Sequence, residues 1–212
     1  MGTGTDFTVT LKGAGKKFFQ NWIFRDLNIE FHSPEKVSIL GQNGSGKSTL
    51  IQILSGYESL TKGTINFSKD NKPVERDHVF DHVSLAAPYL ELIEEFTLEE
   101  ILLFHFKFKK AQKNLSTNEI ISLAQLESSR DKVFKYFSSG MKQRTKLILA
   151  MLSDVEMILL DEPLSNLDRN GMRWYRDLAE NFLENKVVVV CSNQNESEYS
   201  FCNRSINIAD YK

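Results

Sequence analysis

Gly41-Gln42-Asn43-Gly44-Ser45-Gly46-Lys47-Ser48-Thr49 (GQNGSGKST, 41–49) decides how the rest of the chain is read. The apolar run Val37-Ser38-Ile39-Leu40 leads into it, and Leu50-Ile51-Gln52-Ile53-Leu54 leaves it with a helical pattern. Three glycines, a lysine and two hydroxyls between a strand and a helix suit a small anion. Without side chains in the way, successive backbone N–H groups turn inward around phosphate oxygens, and the helix N-terminus adds its positive end. Gly41, Gly46, Lys47 and Ser48 meet the spacing G-x-x-x-x-G-K-[ST], with Asn43, Gly44, Ser45 and Thr49 completing the cradle. Lys47 then reaches the β- and γ-phosphates and the Ser48 hydroxyl ligates Mg2+, so a nucleoside triphosphate is the expected ligand.

A metal-bound phosphate needs carboxylates close by. Met157-Ile158-Leu159-Leu160-Asp161-Glu162 supplies them at the end of an apolar strand. Asp161 is placed to bind Mg2+ through water and Glu162 to polarise an attacking water.

Composition narrows the class. The chain has 212 residues, 41% hydrophobic and 25% charged, with a net charge of −2. That is an ordinary globular balance with room for one sizeable α/β domain. It carries no polycationic signal, and no nucleic-acid partner is expected. The longest apolar runs, 147–152 and 187–191, fall far short of the roughly 20 residues that span a bilayer. No secretory signal is read, and the acylation pattern beginning at Gly2 fails because Asp6 stands where a hydroxyl is needed. Cys191 and Cys202 have no metal spacing and read as buried free thiols in a reducing cytoplasm.

Period-two alternation predicts strands over 7–12, 27–31 and 63–67, with a buried strand at 36–40 and a helix from Lys47 to Leu54. The charge-rich stretch 68–81 reads as a loop and 82–86 as a strand. From 97 to about 152 the pattern is helical, with breaks near 110–117 and 128–138. A strand (156–161), a helix (170–184) and strands at 187–191 and 205–209 follow. The expected architecture is a single α/β domain over 1–212. Its core, mainly a parallel sheet, takes in 1–88 and 137–212. It carries an N-terminal antiparallel β subdomain, and an α-helical subdomain is inserted over about 89–136.

Phe137 to Leu152, FSSGMKQRTKLILAML, identifies the kind of phosphate-loop protein. It resembles the signature of ABC-type ATPases, a Ser-Gly-Gly turn capping a helix that begins Gln-Arg; here Ser138-Ser139-Gly140-Met141 precede Gln143-Arg144. LLDEPLSNLD, 159–168, resembles the family's joined metal-binding strand and dimer loop. The resemblance covers nearly the whole chain and implies a P-loop NTPase core. It also implies ATP with Mg2+ as ligands, and a head-to-tail dimer, either of this chain or with a related ATPase. Ser138 and Gly140 would then contact ATP held by the other copy, and Asp168 would belong to the dimer contact. The family's adenine-stacking aromatic falls at Phe18, with Phe19 beside it. The helical insertion, about 89–136, would dock on transmembrane permease subunits, placing the protein on the cytoplasmic face of the membrane; the apolar side chains of Thr97–Phe108 read either as core of that subdomain or as a groove for a partner's helix. His105 reads as a core or surface histidine.

Two positions depart from the family pattern. Ala87 or Pro88 stands where a glutamine is usual, so the expected metal contact is missing or made by water, and Pro88 stiffens the hinge. Asn193 stands where a histidine usually touches the γ-phosphate; it donates a hydrogen bond but carries no charge and passes no proton. The expectation is an ATPase with Glu162, Lys47 and Asn193 at its reacting end, its turnover slowed by Asn193. Transport through separate membrane subunits is the leading reading. A cytosolic ATPase, for cofactor assembly among other tasks, and a weakly hydrolysing nucleotide sensor are the alternatives. The short chain leans by analogy towards export.

Overall fold

The computed structural model describes residues 6–212; positions 1–5, where the acylation pattern begins, lie outside the described residues. In chain order the strands are β1 (Phe7–Phe18), β2 (Asn21–His32), β3 (Lys36–Leu40), β4 (Lys62–Lys69) and β5 (Lys72–Val74), with helix α1 (Lys47–Leu54) following β3. The short helix α2 (Val79–His82) leads into β6 (Val83–Ala86), and α3 (Leu98–Phe108), α4 (Thr117–Ala124) and α5 (Ser139–Met151) come next. The chain closes with β7 (Met157–Asp161), α6 (Arg169–Phe182), β8 (Val187–Ser192), α7 (Glu196–Tyr199) and β9 (Arg204–Asn207).

Two sheets result. One is antiparallel, in the order β2-β1-β4-β5; the other is parallel, in the order β6-β7-β8-β3-β9. Strands β7 and β8 are buried at every residue, as strands covered on both faces must be. Their side chains alternate between two cores. Met157, Leu159, Val187 and Val189 face Leu50, Leu54 and the antiparallel sheet's Phe7, Val9 and Phe31. Ile158, Leu160, Val188 and Val190 face α5, α6 and the apolar sides of α3 and α4. The second core therefore runs without a break from the parallel sheet into the helical insertion.

The helices start at residues built to start them. Thr97 and Ser116 each cap a helix whose third residue, Glu100 or Glu119, bonds back to the cap. Side chains Ser138 and Asp168 accept the N–H groups of Met141 (3.3 Å) and Gly171 (2.8 Å) at the heads of α5 and α6.

The structure differs from the sequence expectations at three places. β1 and β2 run well beyond the predicted 7–12 and 27–31, because β1 is paired on both sides and its register shifts near Ala14 carry the pairing past the glycines. The stretch 68–81 is not all loop: β4 extends to Lys69, and β5 and α2 lie within it. The last strand is shorter and earlier than 205–209, since the chain winds into a 3-10 turn at Ile208–Tyr211. Cys191 is buried, Cys202 half-buried, and both are free thiols as expected.

His105 lies on α3 with Nε2 3.0 Å from Ser153 Oγ, which in turn donates to the Leu149 carbonyl. Burial, helped by the Lys109 ammonium, holds its imidazole down to about 4 from the ordinary 6.5. The unfolded chain therefore takes the proton more readily, and stability present above pH 6.5 is lost as the pH falls towards 4. At pH 5 the loss relative to pH 7.5 is about 2 kcal/mol. Urea denaturation at the two pH values measures it, and His105→Gln removes that part of the difference.

Candidate functional site

The cradle forms where β3 ends and α1 begins. Gly46, at φ 107, precedes the first helical residue; a Cβ there would lie 2.5 Å from Ile23 Cγ2 on β2. Only glycine fits both that backbone and that neighbour. Lys47 is buried, and its ammonium donates to the carbonyls of Gly41 (2.8 Å) and Gln42 (3.1 Å). The cation is thus folded over the loop it belongs to. A cavity of about 420 Å3 opens above, lined by Asn43, Gly44, Ser45, Gly46, Lys47, Ser48 and Thr49 with Ile23 and Glu162.

Asp161 ends β7, two strand positions from β3 with β8 between them. It is 2% exposed, and its Oδ1 has no hydrogen-bond partner among the described residues. Burial pushes its carboxyl up and the Glu162 charge adds to that, while the Ser48 hydroxyl and Lys47 ammonium oppose it. A buried carboxylate oxygen left unpaired beside a hydroxyl is the donor set of a hard cation. The residues present therefore fit Mg2+. Glu162 follows with its backbone at φ 45, a left-handed conformation for a residue with a side chain, its N–H bound to the Cys191 carbonyl.

The other sequence-predicted residues are not part of this cavity. Phe18 lies at the end of the β1–β2 hairpin under the Lys16 ammonium, 4.8 Å from its ring centre, and Phe19 is fully exposed at the turn. Ser138, Gly140 and Asp168 lie at the heads of α5 and α6, with Ser138 and Asp168 facing solvent. Gly140 packs on the segment that leads into α6, where a Cβ would meet the Asn166 carbonyl at 3.1 Å. Asn193 is exposed just past β8.

Sequence reasoning missed Ile23 and Tyr89. Ile23 touches the cradle only because β2 crosses over it, and the β2 pattern gives no sign of that. Tyr89 follows the Ala87-Pro88 step. Burial raises its phenol, and the Asp161 charge adds to the rise while the Gln52 side chain opposes it. The Asp161 charge is thus felt at Tyr89, in the segment where the family's glutamine is absent. Lys146 of α5 donates to the Pro88 carbonyl at 2.8 Å and holds that segment.

On the helical insertion, a cavity of about 220 Å3 is lined by Leu92, Ile93, Phe96, Phe104 and Phe108 above His105. Phe104 and Phe108 pack edge to face at 5.2 Å yet remain exposed. Glu91 and Lys109 lie at the rim of this apolar groove.

The ABC transporter family model matches residues 24–165. Over 199 residues the chain is 27% identical to an Fe(3+) ions import ATP-binding protein of Fusobacterium nucleatum, covering 89% of this chain and 52% of that one. Over 201 residues it is 32% identical to a maltose/maltodextrin import ATP-binding protein of Yersinia pestis, covering 89% and 53%. The chain thus spans about half the length of the curated relatives it matches. A dimeric ATP-binding cassette solved in a post-hydrolysis state with ADP and Pi superposes with a TM-score of 0.76 at 25% identity, over 94% of this chain and 93% of that one. With the cradle, the capped α5 and the acidic end of β7 all inside the matched span, the chain belongs to the ABC transporter family.

Proposed function

We propose that this chain binds and hydrolyses ATP to drive a transporter whose membrane-spanning subunits are separate polypeptides. The observation that carries the reading is the cradle at 41–49 facing a buried, unpartnered Asp161 Oδ1 with Glu162 at the cavity wall. The backbone N–H groups of the loop and the Lys47 ammonium bind the β- and γ-phosphates, Lys47 exchanging its two loop carbonyls for phosphate oxygens. Ser48 and Asp161 would hold Mg2+, which when bound would neutralise charge on the phosphates. Glu162 orients a water and takes its proton. Phe18 stacks on the adenine.

In a head-to-tail dimer, Ser138 and Gly140 of one copy donate to the γ-phosphate held by the other. The exposed Asp168 meets the partner near the paired sites. The groove around Phe104 and Phe108 takes a short helix of the membrane subunit, its apolar side inward. The chain then works at the cytoplasmic face of the membrane that holds those subunits; no helix among the described residues is long and apolar enough to cross one. The relatives' names are those of import proteins, which runs against the lean towards export drawn from chain length.

Asn193 supplies an amide N–H to the γ-phosphate without charge, so turnover is slow. Asn193→His raises kcat several-fold, about 5-fold or more, with little change in ATP affinity; an unchanged rate removes Asn193 from the reaction. The reading as a whole is tested by tagging a Glu162→Gln chain and recovering it from detergent-solubilised membranes with ATP and Mg2+. A multi-span protein recovered with it supports the proposal. Bait confined to the soluble fraction, with the wild-type chain still hydrolysing ATP, overturns the transport part and returns the cytosolic ATPase.

A further inference from the structure

Beyond Glu162 the chain makes a tight turn. The Ser165 N–H donates to the Glu162 carbonyl at 3.0 Å, so the turn is 162–165 and its central peptide joins Pro163 to Leu164. Both polar ends of that one peptide are held by buried side chains from different helices. Gln143 Nε2, on α5, donates to the Pro163 carbonyl at 2.8 Å. The Leu164 N–H donates to Glu198 Oε1, on α7, at 3.3 Å. Gln143 and Glu198 are each 4% exposed. α7 is itself fixed, since Tyr175 of α6 donates its hydroxyl to the Glu198 carbonyl at 2.9 Å.

A half-rotation of the central peptide is what interconverts the two common tight turns. Gripped at the oxygen on one side and at the N–H on the other, this peptide cannot make that rotation without stranding two buried polar groups. Each stranded group carries a desolvation penalty. Glu162, the first residue of the turn, sits at φ 45, a conformation that persists only where its surroundings enforce it.

We propose that Gln143 and Glu198 are positioning residues that together lock the Pro163–Leu164 peptide and thereby hold Glu162 in its left-handed conformation, its carboxylate at the wall of the nucleotide cavity. The clamp also ties three parts to one peptide: the helix headed by Ser138, the segment after Asn193, and the loop 163–168. A shift of α5 or α7 is transmitted to the carboxylate through that peptide and not through the bound nucleotide. The link to catalysis rests on Glu162 acting on water, as proposed above.

Four variants test it: Glu198→Gln, which keeps an acceptor oxygen of similar reach; Glu198→Leu; Gln143→Leu; and the double Leu variant. Amide hydrogen exchange at Leu164 and steady-state ATP hydrolysis are measured in each. In Glu198→Leu, Leu164 exchange quickens by about 10-fold or more, while Glu198→Gln stays near wild type. kcat falls by about 10-fold to 100-fold in each single Leu variant, with KM for ATP little changed, and is largely restored in Glu198→Gln. The double variant loses no more than the worse single, because one peptide is freed in either case.

Gln143→Leu reads the other end of the clamp independently, so a Glu198→Leu chain that fails to fold does not end the test. Unchanged Leu164 exchange, equal losses in Glu198→Gln and Glu198→Leu, or single losses that multiply in the double variant each overturn the clamp. A wild-type chain that binds ATP without turning it over overturns the function reading alone. The Leu164 exchange rates then decide the clamp by themselves.

Discussion

Replacing Glu162 by glutamine lowers ATP hydrolysis by about 100-fold to 10,000-fold and leaves ATP bound. The two side chains match in size, and the left-handed backbone at φ 45 is no harder for one than for the other. What changes is the proton: an amide oxygen does not accept one from water at neutral pH. The cradle is untouched, because the Lys47 ammonium and the loop N–H groups make their contacts without Glu162. Nucleotide affinity should therefore stay within about 3-fold while kcat collapses, the pattern of an interaction made only in the transition state. Lys47→Ala gives the contrasting result, losing affinity together with rate. Phosphate release and equilibrium binding of a fluorescent ATP analogue separate the two. A Glu162→Gln chain retaining most of its kcat would mean that another group activates the water.

The second large effect is structural. Gly63, at φ 83, lies where β4 passes the bulged part of β1, and a Cβ there would lie 2.4 Å from the Gly13 carbonyl oxygen and 2.5 Å from that of Lys12. Both neighbours are backbone and cannot swing aside. Gly63→Val must therefore break the Lys12–Thr64 and Gly15–Lys62 pairings or force the two strands apart. The expected cost is about 3 kcal/mol or more, read as a shift in the urea midpoint. Gly13 is the control, since it also has positive φ, at 54, but nothing lies within 4 Å of where its Cβ would be. Gly13→Ala carries backbone strain only, about 1 kcal/mol. Equal costs at the two positions would show that the close crossing does not matter.

What the sequence made legible was what local chemistry dictates. The cradle, the apolar strand ending in Asp161-Glu162 and the capped start of α5 are each written in consecutive residues, and the structure builds each of them there. The alternation in Val187–Ser192 could not say which face meets which core, because both faces are apolar. Contacts between distant segments were hidden for a different reason. Ile23 meets Gly46, and Glu198 joins Gln143 in gripping one peptide, yet nothing in the sequence around Ile23 or Glu198 marks either contact. The ends of β1 and β2 were misjudged because β1, paired on both edges, carries β2 along with it past the glycines and lysines that weaken strand propensity locally. For Ser138 and Asp168, caps of their helices in this chain, the ligand roles need a second copy and rest on the family resemblance.

The order of the parallel sheet has one more consequence. β3, β8 and β7 lie side by side and deliver the phosphate cradle, Asn193 and the carboxylates to one edge. Their separation is set by peptide hydrogen bonds, about 4.8 Å per strand, and so about 10 Å between the backbones of β3 and β7. Side chains take no part in fixing that distance. The sheet is a ruler graduated in backbone, and mutation can rewrite nearly every letter along its edges without moving a mark. A chain can therefore drift to a quarter identity with a solved cassette and still superpose on it over 94% of its length.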